Sequence, residues 1–126
     1  MDILGGETTA SPVEGEISAG ETWTVHSSIT DYIDLQDALG APSSCMAYAF
    51  TRILTDSAMT VRLRFGSDDG IKVWLNGSNI YTNASTGGWS LVEEDVSIPL
   101  IAGENRLLVK VKNTSGAYGF SMRITE

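Results

Sequence analysis

The alternation of apolar and polar residues in "TVRLRFG", residues 60–66, constrains this chain more than any other feature. Val61, Leu63 and Phe65 share one phase, and Arg62 and Arg64 share the other. A period of two is that of a strand with one buried face, whereas a surface helix repeats near 3.6. "IKVWLN" repeats the pattern with Ile71, Val73 and Leu75 opposed to Lys72, Trp74 and Asn76. In "RLLVKVK" Leu107, Val109 and Val111 share a face, and in "YGFSMRIT" Phe120, Met122 and Ile124 do so. "MAYAFTRIL", residues 46–54, is apolar in both phases and predicts a central strand covered on both faces. Residues 21–26, 78–82 and 92–98 are weaker strands, and "YIDLQDALG" holds at most one helical turn, ended by Gly40 and Pro42.

Turn chemistry separates these runs. Asn76-Gly77 supplies the two positive φ angles of a tight type I′ turn. "SDDG" suits a four-residue hairpin loop with Gly70 in the left-handed position, and "LIAGENRL" turns around Gly103. About eight short strands at this spacing predict an all-β fold, an antiparallel β-sandwich or jelly-roll. Residues 1–20 are expected as a linker and first edge strand, and residues 21–126 as the sandwich module. At 126 residues the chain is one domain. No apolar run spans a membrane and Met1 opens no signal peptide, so the start reads as a cut within a longer protein.

The formal net charge is −8, which argues against a nucleic-acid partner, because phosphate binding needs a positive surface. All eight Lys and Arg fall after residue 50. Arg62, Arg64, Lys72, Lys110, Lys112 and Arg123 lie on the outward phase of their strands. Solvated lysines and arginines are the ordinary meaning of such a pattern. If the strands are neighbours, the same residues form a cationic patch suited to anionic ligands such as uronate-containing polysaccharides. The one cysteine, Cys45, permits no internal disulfide and is expected as a buried, inert thiol.

Catalysis has little support. His26 is the one histidine, with no nucleophile motif around it, and zinc is not expected. Asp68-Asp69 and Glu93-Glu94-Asp95 are adjacent carboxylates, which in a strand point to opposite faces instead of across a cleft. Calcium fits better, since it takes carboxylate and carbonyl oxygens, and Asp68 and Asp69 or Glu14, Glu16 and Glu21 offer them. Aspartate is also the ordinary residue of a turn, where its side chain bonds backbone N–H groups, and both readings of the doublet stand. Trp89, in "STGGWS", and Tyr118, after "NTSGA", sit where burial is difficult and a sugar ring can stack. Trp74 is expected under a loop, and Trp23 and Tyr48 in or near the core.

The stretch "AYAFTRILTDSAMTVRLRFGSDDGIKVWLNGSNIY" with "AGENRLLVKVKNTSGAYGFSMRI" resembles the galactose-binding-domain-like β-sandwiches. These are non-catalytic modules beside glycoside hydrolases, polysaccharide lyases and esterases of secreted bacterial systems. "WTVHSSITDYIDLQDALG" fits the same pattern, so the resemblance covers roughly residues 21–125. The shorter "SDDGIKVWLNG" is also similar to the protective-antigen-type carbohydrate-binding domain, in which an Asp-Asp pair can hold a calcium ion that binds sugar hydroxyls.

The resemblance implies a non-catalytic carbohydrate-binding module that keeps an attached polysaccharide-degrading enzyme on its substrate. Its sugar contacts are expected at Trp89, Tyr118, Asp69 and Arg64, with calcium at Asp68 and Asp69. The expected partners are a poly- or oligosaccharide and a catalytic domain of the same parent chain, with no nucleic acid and no membrane. The module is expected as a monomer, extracellular as part of a larger secreted protein. The competing reading is a spacer that packs against a catalytic domain and binds no glycan.

Overall fold

A computed structural model describes residues 6–18, 21–25, 32–35, 45–67, 70–83, 94–113 and 119–125. The strands are β1 (Ile17–Ser18), β2 (Glu21–Thr22), β3 (Tyr32–Asp34), β4 (Cys45–Thr55), β5 (Met59–Ser67), β6 (Ile71–Leu75), β7 (Ser78–Asn83), β8 (Glu94–Leu100), β9 (Gly103–Asn113) and β10 (Gly119–Thr125). Two four-stranded sheets face each other, one ordered β3-β10-β5-β8 and the other β4-β9-β6-β7, and every ladder is antiparallel. We call them the β5 sheet and the β9 sheet. The β1–β2 pair forms a small ladder of its own. The fold is an all-β antiparallel sandwich.

The core follows the inward phases. Val61, Leu63 and Phe65 of the β5 sheet meet Ile71, Val73, Leu75, Leu107, Val109 and Val111 of the β9 sheet, and all are buried. Each such side chain contributes about 1.5–3 kcal/mol relative to exposure. Phe120 is buried and Met122 partly so, while Ile124, in the same phase, is 40% exposed near the open side of the sandwich.

Two turns differ from their sequence reading. Asn76 (φ 49°) and Gly77 (φ 86°) make the expected hairpin between β6 and β7. The segment containing "SDDG", however, joins strands of different sheets: β5 pairs with β10 and β8, and β6 pairs with β7 and β9. It is a crossing between layers and not a hairpin. The Gly103 turn likewise carries the chain from β8 in one sheet to β9 in the other. Both crossings exist because the flanking strands bury their inward phases against each other, so they stack instead of pairing.

β4 is a second correction. Among the described residues it pairs with β9 alone and so ends its sheet, where a central strand was expected. Its doubly apolar character has another cause. Ala47, Ala49 and Ile53 face the core, while Tyr48 and Arg52 on the outer face are met by residues 7–12. Residues 6–13 form a strap over that outer face, held by side-chain bonds. Arg52 Nη2 donates to Ser11 O, Ser11 Oγ and Pro12 O, and Arg106 Nη1 donates to Ala10 O at 3.2 Å. Trp74 lies on the same outer face and is buried, with Lys72 Nζ 5.0 Å from its ring centre.

Candidate functional site

Of the residues that the sequence singles out for ligand or metal binding, Arg64 is described; Asp68, Asp69, Trp89 and Tyr118 lie outside the described residues, as does His26. The strand ends that bracket them converge. Ser67, before the aspartates, pairs with Phe120, two residues after Tyr118. Phe65 pairs with Glu94, where β8 begins, and Ile71 pairs with both Asn83 and Val111. Lys112 N donates to Gly70 O at 2.9 Å, tying the start of β6 to the end of β9. The described ends flanking residues 68–69, 84–93 and 114–118 therefore lie at one end of the sandwich. The Asn76-Gly77 and Gly103 turns occupy the other.

Arg64 does not face the core. It lies on the outer face of the β5 sheet, opposite Arg123 on β10 and Asp95 on β8. Asp95 is shared: Arg62 Nη2 lies 2.9 Å from its Oδ2 and Arg64 Nε 3.5 Å from the same atom. Arg64 Nε is withdrawn from solvent and makes no hydrogen bond. The outward bases thus divide between two opposite faces, Arg62, Arg64 and Arg123 on one and Lys72, Lys110 and Lys112 on the other, and form no single patch. Glu14, Glu16 and Glu21 are exposed, and Glu16 Oε2 accepts from Val13 N at 3.0 Å. Among the described residues no three metal-ligating side chains gather. Cys45 opens β4, and its side chain lies outside the described residues.

A cleft of about 530 Å³ opens on the side of the sandwich where the edge strands β3 and β4 face each other. Leu107, Val109 and Phe120 form its floor, Trp23 borders it, and β4 lines it along residues 48–51, with the Tyr48 and Phe50 side chains turned to the outer face of the sheet. Thr24 and Thr51 add hydroxyls. Trp23 is half-buried, and its indole N–H donates to Ser18 Oγ at 3.0 Å, which fixes the ring. The backbone of Trp23 is held too, its N–H donating to Glu16 O and its carbonyl accepting from Gly15 N. A volume of this order holds a small ligand, and an indole ring and apolar floor beside hydroxyls suit a molecule with one apolar and one polar surface. Tyr48 is the one titratable residue in the described lining, and its hydroxyl is turned away to Glu7 on the outer face. The lining therefore offers no pair of carboxylates for glycoside hydrolysis. The sequence reading, which puts Trp23 in or near the core, misses its place at this opening because the edge position of β4 is a property of the sheet order alone.

On the outer face of the β9 sheet, Glu7 of the strap meets Tyr48 and Lys110, which are directly opposite on β4 and β9. Lys110 Nζ lies 2.7 Å from Glu7 Oε2, and the Tyr48 hydroxyl donates to the same oxygen. The ammonium also sits 5.4 Å from the centre of the Tyr48 ring. Only about a tenth of either charged side chain is exposed. Burial pulls the Lys110 pKa down, but hydrogen bonds to Glu7 and Tyr48 and their charges outweigh it, and the net value stands above that of an ordinary lysine.

No family model matches the chain, and no curated protein does. Solved structures are similar to it. One is the PA14 domain of the antifreeze protein MpAFP, with a TM-score of 0.54 and 16% identity over 64% of this chain and 42% of that one. This chain thus spans less than half the length of that structure, and the likeness is one of fold. Another is a family 35 carbohydrate-binding module from an environmental isolate, with 30% identity over 67% of this chain and 69% of that one and a TM-score of 0.46.

Proposed function

We propose that this chain is a non-catalytic carbohydrate-binding module. The observation that carries the reading is the cleft between β3 and β4, where Trp23 stands beside Thr24 and Thr51 over the apolar floor of Leu107, Val109 and Phe120. Sugars present apolar C–H faces ringed by hydroxyls, so aromatic rings supply contact area while hydroxyls fix orientation. The convergence of strand ends around residues 68–69, 84–93 and 114–118 supports a second contact region at the sandwich end, with Asp69, Trp89 and Tyr118 as its residues and Arg64 on the adjoining sheet face. Calcium at Asp68 and Asp69 belongs to the same proposal. In its parent protein the module tethers a secreted polysaccharide-degrading enzyme to its substrate and raises the effective concentration of one on the other. It acts as a monomer outside the cell.

One feature favours a spacer instead. Leu54 is 76% and Ile101 55% exposed. They belong to one region, since Thr55 Oγ1 donates to Ile101 O at 3.1 Å. Adjacent exposed apolar side chains suit packing against a neighbouring domain.

Native affinity electrophoresis against neutral and acidic polysaccharides, run with calcium and with chelator, separates the readings. A binding module is retarded by at least one glycan class, and chelator abolishes that retardation where Asp68 and Asp69 hold calcium. Unchanged mobility across the panel would leave the spacer.

A further inference from the structure

We propose that Asn76-Gly77 is a latent self-modification site, a succinimide-forming dipeptide that the fold holds closed, and that Asn105 is the residue which closes it. The inference is independent of the carbohydrate-binding reading and goes beyond it.

The chemistry needs no partner other than water. The backbone nitrogen of Gly77, once its proton is lost, attacks Cγ of Asn76. An N–C bond forms, and the Asn76 side-chain nitrogen leaves as ammonia. Water then opens the five-membered imide at either carbonyl, giving aspartate or isoaspartate. Glycine favours the first step, because no Cβ shields the attacking nitrogen. The chain has five asparagines, and Asn76 alone is followed by glycine. The hairpin demands that same pair, with Asn76 at φ 49° and Gly77 at φ 86°. Turn chemistry therefore brings a labile dipeptide with it.

Ring closure requires the Asn76 amide to swing onto Gly77 N and to release its nitrogen. The structure opposes both. Asn76 Oδ1 accepts from Arg106 N at 2.8 Å, and Asn76 Nδ2 donates to Asn105 Oδ1 at 3.0 Å. Backbone groups, whose roles cannot be exchanged, set both orientations. Arg106 N fixes which end of the Asn76 amide is oxygen, and Ile101 N does the same for Asn105. The carbonyls of Ile53, Ile101 and Gly103 take the Asn105 nitrogen. Asn105 is fully buried, so it cannot follow the Asn76 side chain outward. The turn is restrained on two further sides. Asn76 N donates to Arg106 O at 2.8 Å, and Thr8 O stands where it would meet a Cβ on Gly77 at 2.5 Å. Turning the amide toward Gly77 breaks both side-chain bonds at once. Closure thus proceeds from an opened turn, at a rate that follows the opened fraction.

The product does not return to the same seat. An aspartate at 76 sets a carboxylate against Asn105 Oδ1, acceptor facing acceptor. Isoaspartate carries the backbone through one additional carbon, in a turn whose two φ angles are already specified. Either product loosens the β6–β7 turn from β9. An opening that ends in the imide is recorded permanently in the chain.

The test incubates the full chain at mildly alkaline pH and follows aspartate and isoaspartate at all five asparagines by peptide mass spectrometry. Asn105→Ala is compared with Val111→Ala, a core truncation at the far end of β9, with urea adjusted so that the two are equally stable. In the urea-unfolded chain Asn76 should convert ahead of the other asparagines. In the folded chain its conversion should be slower by about tenfold or more, as the hydrogen bonds on the amide require. Asn105→Ala should convert about five- to tenfold faster than Val111→Ala. Equal rates in the two variants would show that global unfolding alone governs the reaction, and would remove Asn105 from it. A second readout needs no variant and stands if Asn105→Ala does not fold. In the unmodified chain, conversion should barely respond to low urea, the mark of a local opening. A rate that climbs with the global unfolding slope overturns the local closure. Equal rates in the folded and unfolded chain overturn the closed site itself, as does another asparagine converting first in urea.

Discussion

The side-chain amide of Asn76 donates to the Oδ1 of Asn105 at 3.0 Å, and through that bond the tip of one hairpin is fastened to the buried start of β9. Asn105 is fully buried. Its Oδ1 also accepts from Ile101 N, and its amide donates to the carbonyls of Ile53, Ile101 and Gly103. Asn76 returns the connection by accepting from Arg106 N at 2.8 Å. One asparagine thus ties together the ends of β4 and β8, the Gly103 crossing and the β6–β7 turn.

Asn105→Ala should therefore be among the most damaging single changes in the domain. It strands two partly buried donors, the Asn76 amide and Ile101 N, and the carbonyls of Ile53, Ile101 and Gly103, and a loss of about 2–3 kcal/mol follows. Urea unfolding should show a lower midpoint with an unchanged slope.

Gly77→Ala carries two penalties. The residue sits at φ 86°, and an added Cβ would lie 2.5 Å from the carbonyl oxygen of Thr8 in the strap. The conformational part costs about 1 kcal/mol. The steric part pushes Thr8 away, so amide exchange at residues 7–10 should accelerate more than the global stability loss predicts.

The Lys110–Glu7 pair sets an alkaline limit. The folded pKa of Lys110 is raised, so the folded state holds this proton more tightly than the unfolded chain. Its contribution is complete below the unfolded lysine value of about 10.4 and is lost as pH rises through the folded value. Lys110→Met should be less stable than the unmodified chain by about 2–3 kcal/mol at pH 8, because the buried Glu7 carboxylate loses its counter-ion. That gap should stay constant to about pH 10 and narrow above it. Denaturant titrations of both proteins from pH 8 to 11.5 check this, and a gap that widens above pH 10 would contradict it.

Two tryptophan variants divide the proposed contact regions. Trp23→Ala should abolish glycan retention if the cleft binds the sugar, at a stability cost of about 1–2 kcal/mol, less than a core aromatic, since the ring is half-buried. Trp89→Ala should abolish retention with little change in melting temperature if the sandwich end does the binding. A large stability loss for Trp89→Ala would mark it as core and remove it from the site.

The inward phases of β5, β6 and β9 are legible in the sequence because each side chain's face is fixed by its own strand's period. The hairpin at Asn76-Gly77 is legible for the same local reason: its φ angles need those residue types. The crossings after Ser67 and Leu100 are not. Turn residues announce that the chain reverses, whereas the sheet that receives the next strand depends on distant partners. β4 misleads similarly, since a strap residue as remote as Glu7 supplies the cover that a central position would have given. Asn105 and Lys110 are polar residues within apolar runs, and nothing local distinguishes a buried hub or a buried ion pair from a solvated side chain. Arg64 was legible as outward-facing, but its sharing of Asp95 with Arg62 was not.

The order of strands in the two sheets also bears on how the chain reaches this state. Among the described ladders only β1–β2 and β6–β7 join consecutive strands. β3 must wait for β10, and β4, eleven residues long, must wait for β9. Non-local pairing of this kind makes for folding in milliseconds to seconds, not microseconds. During synthesis on the ribosome the β4 segment emerges well before its partner exists. Its tyrosine, phenylalanine and isoleucine are then open to association with other chains. The β6–β7 hairpin is the one sizeable structure that can form early, and β9 then has an edge to join.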